Sequence, residues 1–260
     1  MMKNSIIILF MLVISISVSA QDFNRYEKKY FVSGPDTLPY RLLLPEGYDA
    51  GKQYPLVFFM HGAGERGSDN EKQLLHGGRL FLQEDTRKKF PAIVVFPQCA
   101  ANSFWSNVTF NRDTAGKVMF QFPAEAPMTT SMKLAQGLLY ELLRSYPVKK
   151  KQVYIGGLSM GGMGTFEMVS RNPSIFAAAV PICGGGNTTN VSKMSNVKWW
   201  IFHGAKDNIV PVTLSEQMNE ALLAAGAKVK FTVYPEADHN SWDPAFEEPN
   251  LLSWLFSQHR

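Results

Sequence analysis

Cysteine is almost missing: the 260-residue chain holds two, Cys99 and Cys183. A fold stapled by several disulfides, or built around cysteine-rich zinc centres, is therefore excluded. No short histidine repeat and no carboxylate cluster offers a ligand set either, so no metal and no cofactor is expected. Charge is scarce and mixed, at 18% of residues with a net +4. Its densest run, Lys149-Lys150-Lys151, follows Pro147 and reads as a solvated loop. Without a basic stripe or an RNA-binding signature, nucleic acid is not the expected partner. The apolar run Ile6 to Val18 is short of the ~20 residues that a membrane span needs, so no stable membrane anchor is expected.

That run is informative in another way. Lys3 precedes it and Val18-Ser19-Ala20 closes it, the pattern of a secretory signal peptide over residues 1–20 cleaved after Ala20. No cysteine lies near the cleavage point to carry a lipid. The expectation is an exported protein, secreted or periplasmic, starting at Gln21. Export permits a Cys99–Cys183 disulfide, since each follows an apolar strand at what could be one edge of a sheet, but a domain of this size does not need one.

The remaining length suits one domain, 21–260. Short strands are expected at 28–33 and 40–44, and Pro55 to Met60 is a continuous apolar run, as in a parallel strand buried on both faces. Asn70 to His76 reads as the start of a helix stopped by Gly77-Gly78, and Ala92 to Phe96 as another buried strand. Residues 97–128 show no periodicity and hold Phe104, Trp105, Phe110, Phe120 and Phe122. They read as an insertion passing over one end of the sheet. Thr129 or Thr130 caps a helix with leucines at three-four spacing, closed by Pro147. Strands at 153–155, 177–182, 197–202 and 229–234 follow, with helices after Gly161, at 211–225 and at 251–256. This alternation predicts an α/β fold with a doubly wound, mostly parallel sheet, whose ligands bind beyond the carboxyl ends of the strands.

The polar and glycine-rich motifs fall at those ends. Gly157-Leu-Ser-Met-Gly161 sits between a strand and a helix, where a serine at the tip of a sharp turn would be exposed as a nucleophile. The pattern recurs by chance, so its weight comes from its surroundings. A serine hydroxyl needs a base, and the base needs a carboxylate to orient it. His239 follows the last strand, in Pro235-Glu-Ala-Asp-His-Asn-Ser-Trp242. Asp207 stands just past the preceding strand, in His203-Gly-Ala-Lys-Asp207, and is the preferred acid; a helix-capping aspartate before Pro211 is the alternative reading. Asp238 is a rival acid, but adjacent side chains usually diverge. Backbone N–H donors for an oxyanion are expected from Met160 and from Ala63, the latter in His61-Gly-Ala-Gly-Glu-Arg-Gly67. Glu65 and Arg66 either fix that loop or form an exposed ion pair. His61 and His203 are expected to supply hydrogen bonds behind the site. Trp105 and Trp242 are candidates to stack on a substrate ring, or else core packing.

With these motifs the chain resembles the α/β-hydrolase superfamily over its mature length. The glycine-rich loop, the serine motif, Asp207 and His239 are similar to those of secreted esterases that include feruloyl and acetylxylan esterases. They are also similar to sequences described as phospholipase/carboxylesterase-like or predicted peptidases. The resemblance implies Ser159 as nucleophile, His239 as base, Asp207 as acid, and Ala63 and Met160 as oxyanion donors. Dienelactone hydrolases are a looser likeness, since they use a cysteine where this chain has Ser159. The expected partner is a small-molecule or polysaccharide ester, with acyl or feruloyl esters of plant polysaccharide favoured. A serine peptidase on the same fold, and a non-catalytic binding protein, are the alternatives.

Overall fold

Alternate residues of each central strand face opposite ways, and both faces are apolar. That demands cover on both sides, and the computed structural model supplies it over the residues it describes: 22–112, 114 and 118–260. The expected signal peptide, 1–20, and the expected start at Gln21 lie outside the described residues. The strands are β1 (Glu27–Ser33), β2 (Asp36–Leu43), β3 (Tyr54–Met60), β4 (Ile93–Pro97), β5 (Thr109–Arg112), β6 (Val118–Gln121), β7 (Val148–Leu158), β8 (Ala178–Ile182), β9 (Lys198–Gly204) and β10 (Lys228–Tyr234). The helices are α1 (Glu84–Lys89), α2 (Thr130–Ser145), α3 (Met160–Arg171), α4 (Thr213–Ala224), α5 (Trp242–Phe246) and α6 (Leu251–Ser257). Among the described residues, eight strands form one sheet in the order β1-β2-β4-β3-β7-β8-β9-β10. The β1–β2 and β2–β4 pairings are antiparallel and the others are parallel. The expected doubly wound, mostly parallel fold is what forms.

Leu56, Phe58 and Met60 of β3 pack with Leu138 of α2, Phe166 of α3 and Met218 of α4 on one face. Val57 and Phe59 pack with Phe81, Ala245 of α5 and Leu255 of α6 on the other. α2 begins where Thr129 accepts the N–H of Met132, which satisfies one of the free donors of the first turn.

Two local expectations need correction. Residues 70–76 form a single 3-10 turn, Lys72–Leu74, rather than a helix. Asp69 takes the Glu71 and Lys72 amides, and Asn70 and Gly77 have φ of 55° and 86°, outside the helical region. Lys149-Lys150-Lys151 is no loop; it is the exposed start of β7. Within residues 97–128, β5 and β6 pair with each other antiparallel, apart from the main sheet. Cys99 and Cys183 are both free and buried. They follow β4 and β8, which stand three strand positions apart in the sheet, roughly 14 Å at ~4.8 Å per step, well beyond disulfide reach.

Candidate active site

Strand β7 runs out at Leu158, α3 starts at Met160, and Ser159 makes the whole turn between them, at φ 53° and ψ −117°. A side chain in that region costs about 1–3 kcal/mol and persists only when neighbours hold it. Ser159 donates its N–H to Ile182 O at 2.9 Å and accepts from Met163 N at 3.0 Å. The turn also passes very close to the end of β3. A Cβ on Gly161 would stand 2.0 Å from Met60 O, and one on Gly157 2.3 Å from Gly161 O. Both positions therefore need glycine.

His239 lies in the loop after β10, and its Nε2 is 3.0 Å from Ser159 Oγ. Its Nδ1 is 2.8 Å from Asp207 Oδ2. Asp207 does not cap α4, whose N-cap position Val212 receives no side-chain bond; instead Oδ1 accepts the N–H groups of Ile209 and Val210 in the loop before it, each at 2.9 Å, while Oδ2 faces the imidazole. His203 Nε2 stands 3.2 Å from the same Oδ2. Burial alone would raise the Asp207 carboxyl. The bonds from His203, His239 and Val210 N–H outweigh it and hold the group far below the usual carboxylate range. Among the described residues, Asp238, the rival acid, accepts only the backbone N–H of His239. The structure thus brings Ser159, His239 and Asp207 into one hydrogen-bonded line, with His203 behind it.

Ala63 opens a short 3-10 turn after β3, and Met160 is the first residue of α3. Among the described residues neither backbone N–H is given to a protein acceptor. First-turn amides of a helix are left free in this way. The Ala63 loop is tied down from three sides. His61 Nδ1 is 2.6 Å from Gly62 O, and its Nε2 accepts Cys99 N at 2.9 Å, so the ring proton sits on Nδ1. Burial lowers the His61 pKa to about 4, keeping the ring neutral. Arg66 donates to Ala63 O at 2.9 Å and to Ser103 O at 3.3 Å, and lies over the Phe104 ring. Arg66 is the loop-fixing partner, and among the described residues no ion pair joins it to Glu65, which is buried.

The two tryptophans separate. Trp105 is fully enclosed, donates Nε1–H to His61 O at 3.1 Å and packs edge-on against the His61 ring. It has no face left for a ligand, so its place is in the core. Trp242 is half-buried, and its ring meets that of His239 at 5.4 Å. Cys183 went unnoticed as part of this region, yet its thiol lies with Asp207 and His239 within 4.8 Å of one another. Such a trio resembles a metal set. Here the imidazole and carboxylate are bonded to each other, and burial together with the Asp207 charge pushes the thiol far above the usual cysteine range. A cavity of about 500 Å³ lies beside α3, between Phe122, Phe166, Glu167 and Asn187. None of Ser159, Asp207 and His239 lines it.

Residues 107–248, more than half of the chain, match the Dienelactone hydrolase family. The match includes all three residues of the line, and brings that family nearer than its cysteine nucleophile suggested. A solved thermostable esterase is 33% identical, covering 92% of this chain and 64% of its own, with a TM-score of 0.80. Lysophospholipase-like protein 1 of Mus musculus is 24% identical over 80% of this chain and 88% of its own. A bifunctional acetylxylan esterase/xylanase of Neocallimastix patriciarum is 31% identical over 45% of this chain, but only 17% of its own length is spanned. A solved ferulic acid esterase from Anaeromyces mucronatus shares the fold at 15% identity, covering 88% of this chain and 89% of its own, with a TM-score of 0.63. No helix among the described residues is long and apolar enough to cross a membrane.

Proposed function

The chain belongs to the dienelactone hydrolase family, and from that premise we propose that it is an exported serine hydrolase of carboxylic esters. Its mature part is read as one domain, 21–260, with the 97–128 segment as an insertion. The observation that carries the reading is the line from Ser159 Oγ through His239 to Asp207, at 3.0 and 2.8 Å, anchored at a strained strand-to-helix turn.

Ser159 Oγ attacks the ester carbonyl carbon while His239 Nε2 takes its proton. Asp207, held ionised, keeps the proton of the resting imidazole on Nδ1 and stabilises the imidazolium that forms. The carbonyl oxygen becomes an oxyanion and receives the free N–H groups of Ala63 and Met160, at the positive end of α3. Collapse of this intermediate breaks the bond to the alkoxide, which leaves with the proton from His239. The acyl group stays on Ser159 until water, deprotonated by His239, releases it as the carboxylic acid.

Acyl or feruloyl esters of plant polysaccharide are the substrates this reading favours. Its supports are the signal-like residues 1–20, the acetylxylan and feruloyl names among the similar proteins, and Trp242 beside His239. Hydrolysis of p-nitrophenyl acetate by the wild type and by Ser159→Ala tests the class. The variant should lose at least about 10³-fold in kcat; equal rates would refute the assignment.

A further inference from the structure

The cavity of about 500 Å³ beside α3 has no part in the mechanism. Its floor is one face of that helix, Met163, Phe166, Glu167, Ser170 and Arg171, residues whose three-four spacing sets them in one row. From Met163 to Arg171 the row is about 12 Å long, at ~1.5 Å per residue. The roof is Phe122-Pro123-Ala124. Asn187 and Asn190 pin it on one side by donating to Phe122 O and Ala124 O, and Arg171 on the other by donating to Ala126 O at 2.8 Å. Met128, Met163 and Met194 line the space between, and unbranched thioethers adapt to the shape of a guest.

Two polar groups here are unmatched. Ser106 lines the cavity and is 2% exposed, and among the described residues its Oγ has no hydrogen-bond partner, a costly state for a buried hydroxyl. It stands toward the start of α3, since Trp105 packs over Gly164 and Asn107 N–H donates to Glu167. The second is Lys193, which is exposed and, among the described residues, has no carboxylate paired with it. The carboxylate of the cavity, Glu167, is already taken by Arg171 and by Asn107 N–H. Lys193 and Pro173 also line an adjoining hollow of about 450 Å³, whose further cations are Lys198 and Arg260. The cavity is thus apolar along its length, cationic where Lys193 stands, and short of one hydrogen bond toward the start of α3.

We propose that this cavity is a binding site, separate from Ser159, for an amphipathic hydroxy-carboxylate: an unbranched hydrocarbon body with its carboxylate at Lys193 and its hydroxyl at Ser106. The volume is that of a small-molecule site, ~300–1,000 Å³. A hydrocarbon body against the methionines and Phe166 takes apolar surface out of water. The carboxylate answers the cation that Glu167 leaves unpaired. A hydroxyl both donates and accepts, so it meets Ser106 Oγ in either role. A neutral diol leaves Lys193 unmatched, a plain fatty acid leaves Ser106 unmatched, and a cation is repelled by Lys193 and the hollow beyond it. None of Ser159, Asp207, His239, Ala63 and Met160 lines the cavity, so its ligand is independent of the ester-hydrolase reading.

The test is isothermal titration of the full chain with 10-hydroxydecanoate, decanoate and 1,10-decanediol. The hydroxy acid should bind tightest, with a Kd of about 1 mM or below. Lys193→Met should weaken both acids about 3–5-fold and leave the diol unchanged. Ser106→Ala should weaken the hydroxy acid and the diol about 3–10-fold and leave decanoate unchanged. Its melting temperature without ligand should not fall, since no hydrogen bond is lost. Ser170→Trp puts an indole into the cavity from the α3 face and should abolish binding of all three. Lys193 is exposed and Ser170 half-buried, so those two variants keep the test available if Ser106→Ala folds poorly. Binding that survives Ser170→Trp places the ligand elsewhere and overturns the proposal. Equal affinity for acids and diol, unmoved by Lys193→Met, overturns it in favour of an apolar site with no anion recognition. Decanoate weakened by Ser106→Ala as much as the hydroxy acid overturns the placement of the hydroxyl. No binding of any probe up to about 1 mM refutes the site.

Discussion

His61 should make the folded protein sensitive to mild acid. Its ring is 1% exposed at the end of β3. Nε2 is occupied as an acceptor of Cys99 N–H and Nδ1 as a donor to Gly62 O. A second proton would have to displace the Cys99 bond in a site where burial already lowers the pKa from 6.5 to about 4. The unfolded chain takes that proton near pH 6.5; the folded chain refuses it until about pH 4. Between those values the unfolded state binds more protons, so stability is fully present above pH 6.5 and falls as the pH drops through the window. Each unit inside it costs about 1.4 kcal/mol. Going from pH 7.5 to pH 5 should then remove about 2 kcal/mol on account of this ring alone. Asn at position 61 offers an amide N–H near the place of Nδ1 and does not titrate. Urea unfolding of the wild type and His61→Asn at both pH values isolates the effect, because contributions from other groups cancel in the comparison. The wild type should lose about 2 kcal/mol more than the variant. Losses equal to within about 0.5 kcal/mol would refute the buried neutral imidazole, and with it the view that His61 holds the Ala63 peptide in place.

Gly161→Ala would put a methyl carbon 2.0 Å from Met60 O, backbone against backbone, with no flexible side chain to give way. Thermal melting should show a loss of about 3 kcal/mol or more together with lost esterase activity; a folded, active variant would contradict the close crossing of α3 over β3. Trp105→Ala should destabilise by about 3–5 kcal/mol in urea unfolding, since the indole is fully enclosed and bonded to His61 O. A variant of native stability with a raised KM would return Trp105 to a substrate-stacking role.

Ser159, Asp207 and His239 could be read from the sequence because a parallel sheet aligns the carboxyl ends of its strands. A residue's distance past a strand end then translates into a position at one edge of the sheet, whatever the intervening helices do. The glycines at 157 and 161 were legible for a related reason: the close crossing at Met60 O tolerates no side chain, so the requirement appears as residue identity. The β5–β6 pair has no such marker. Its two strands are four residues each, too short to establish a period, and they pair with each other outside the main sheet. Trp105 was ambiguous because burial of an indole depends on what covers it, here His61 and α3 at Gly164, which no local pattern encodes. Glu65 shows the limit most clearly. Its motif placed it in the donor loop, but its burial and the approach of His76 at 3.8 Å follow from the turn after Asn70. Sequence order constrains what sits at strand ends; which side chains meet across separate crossovers is a property of the folded chain alone.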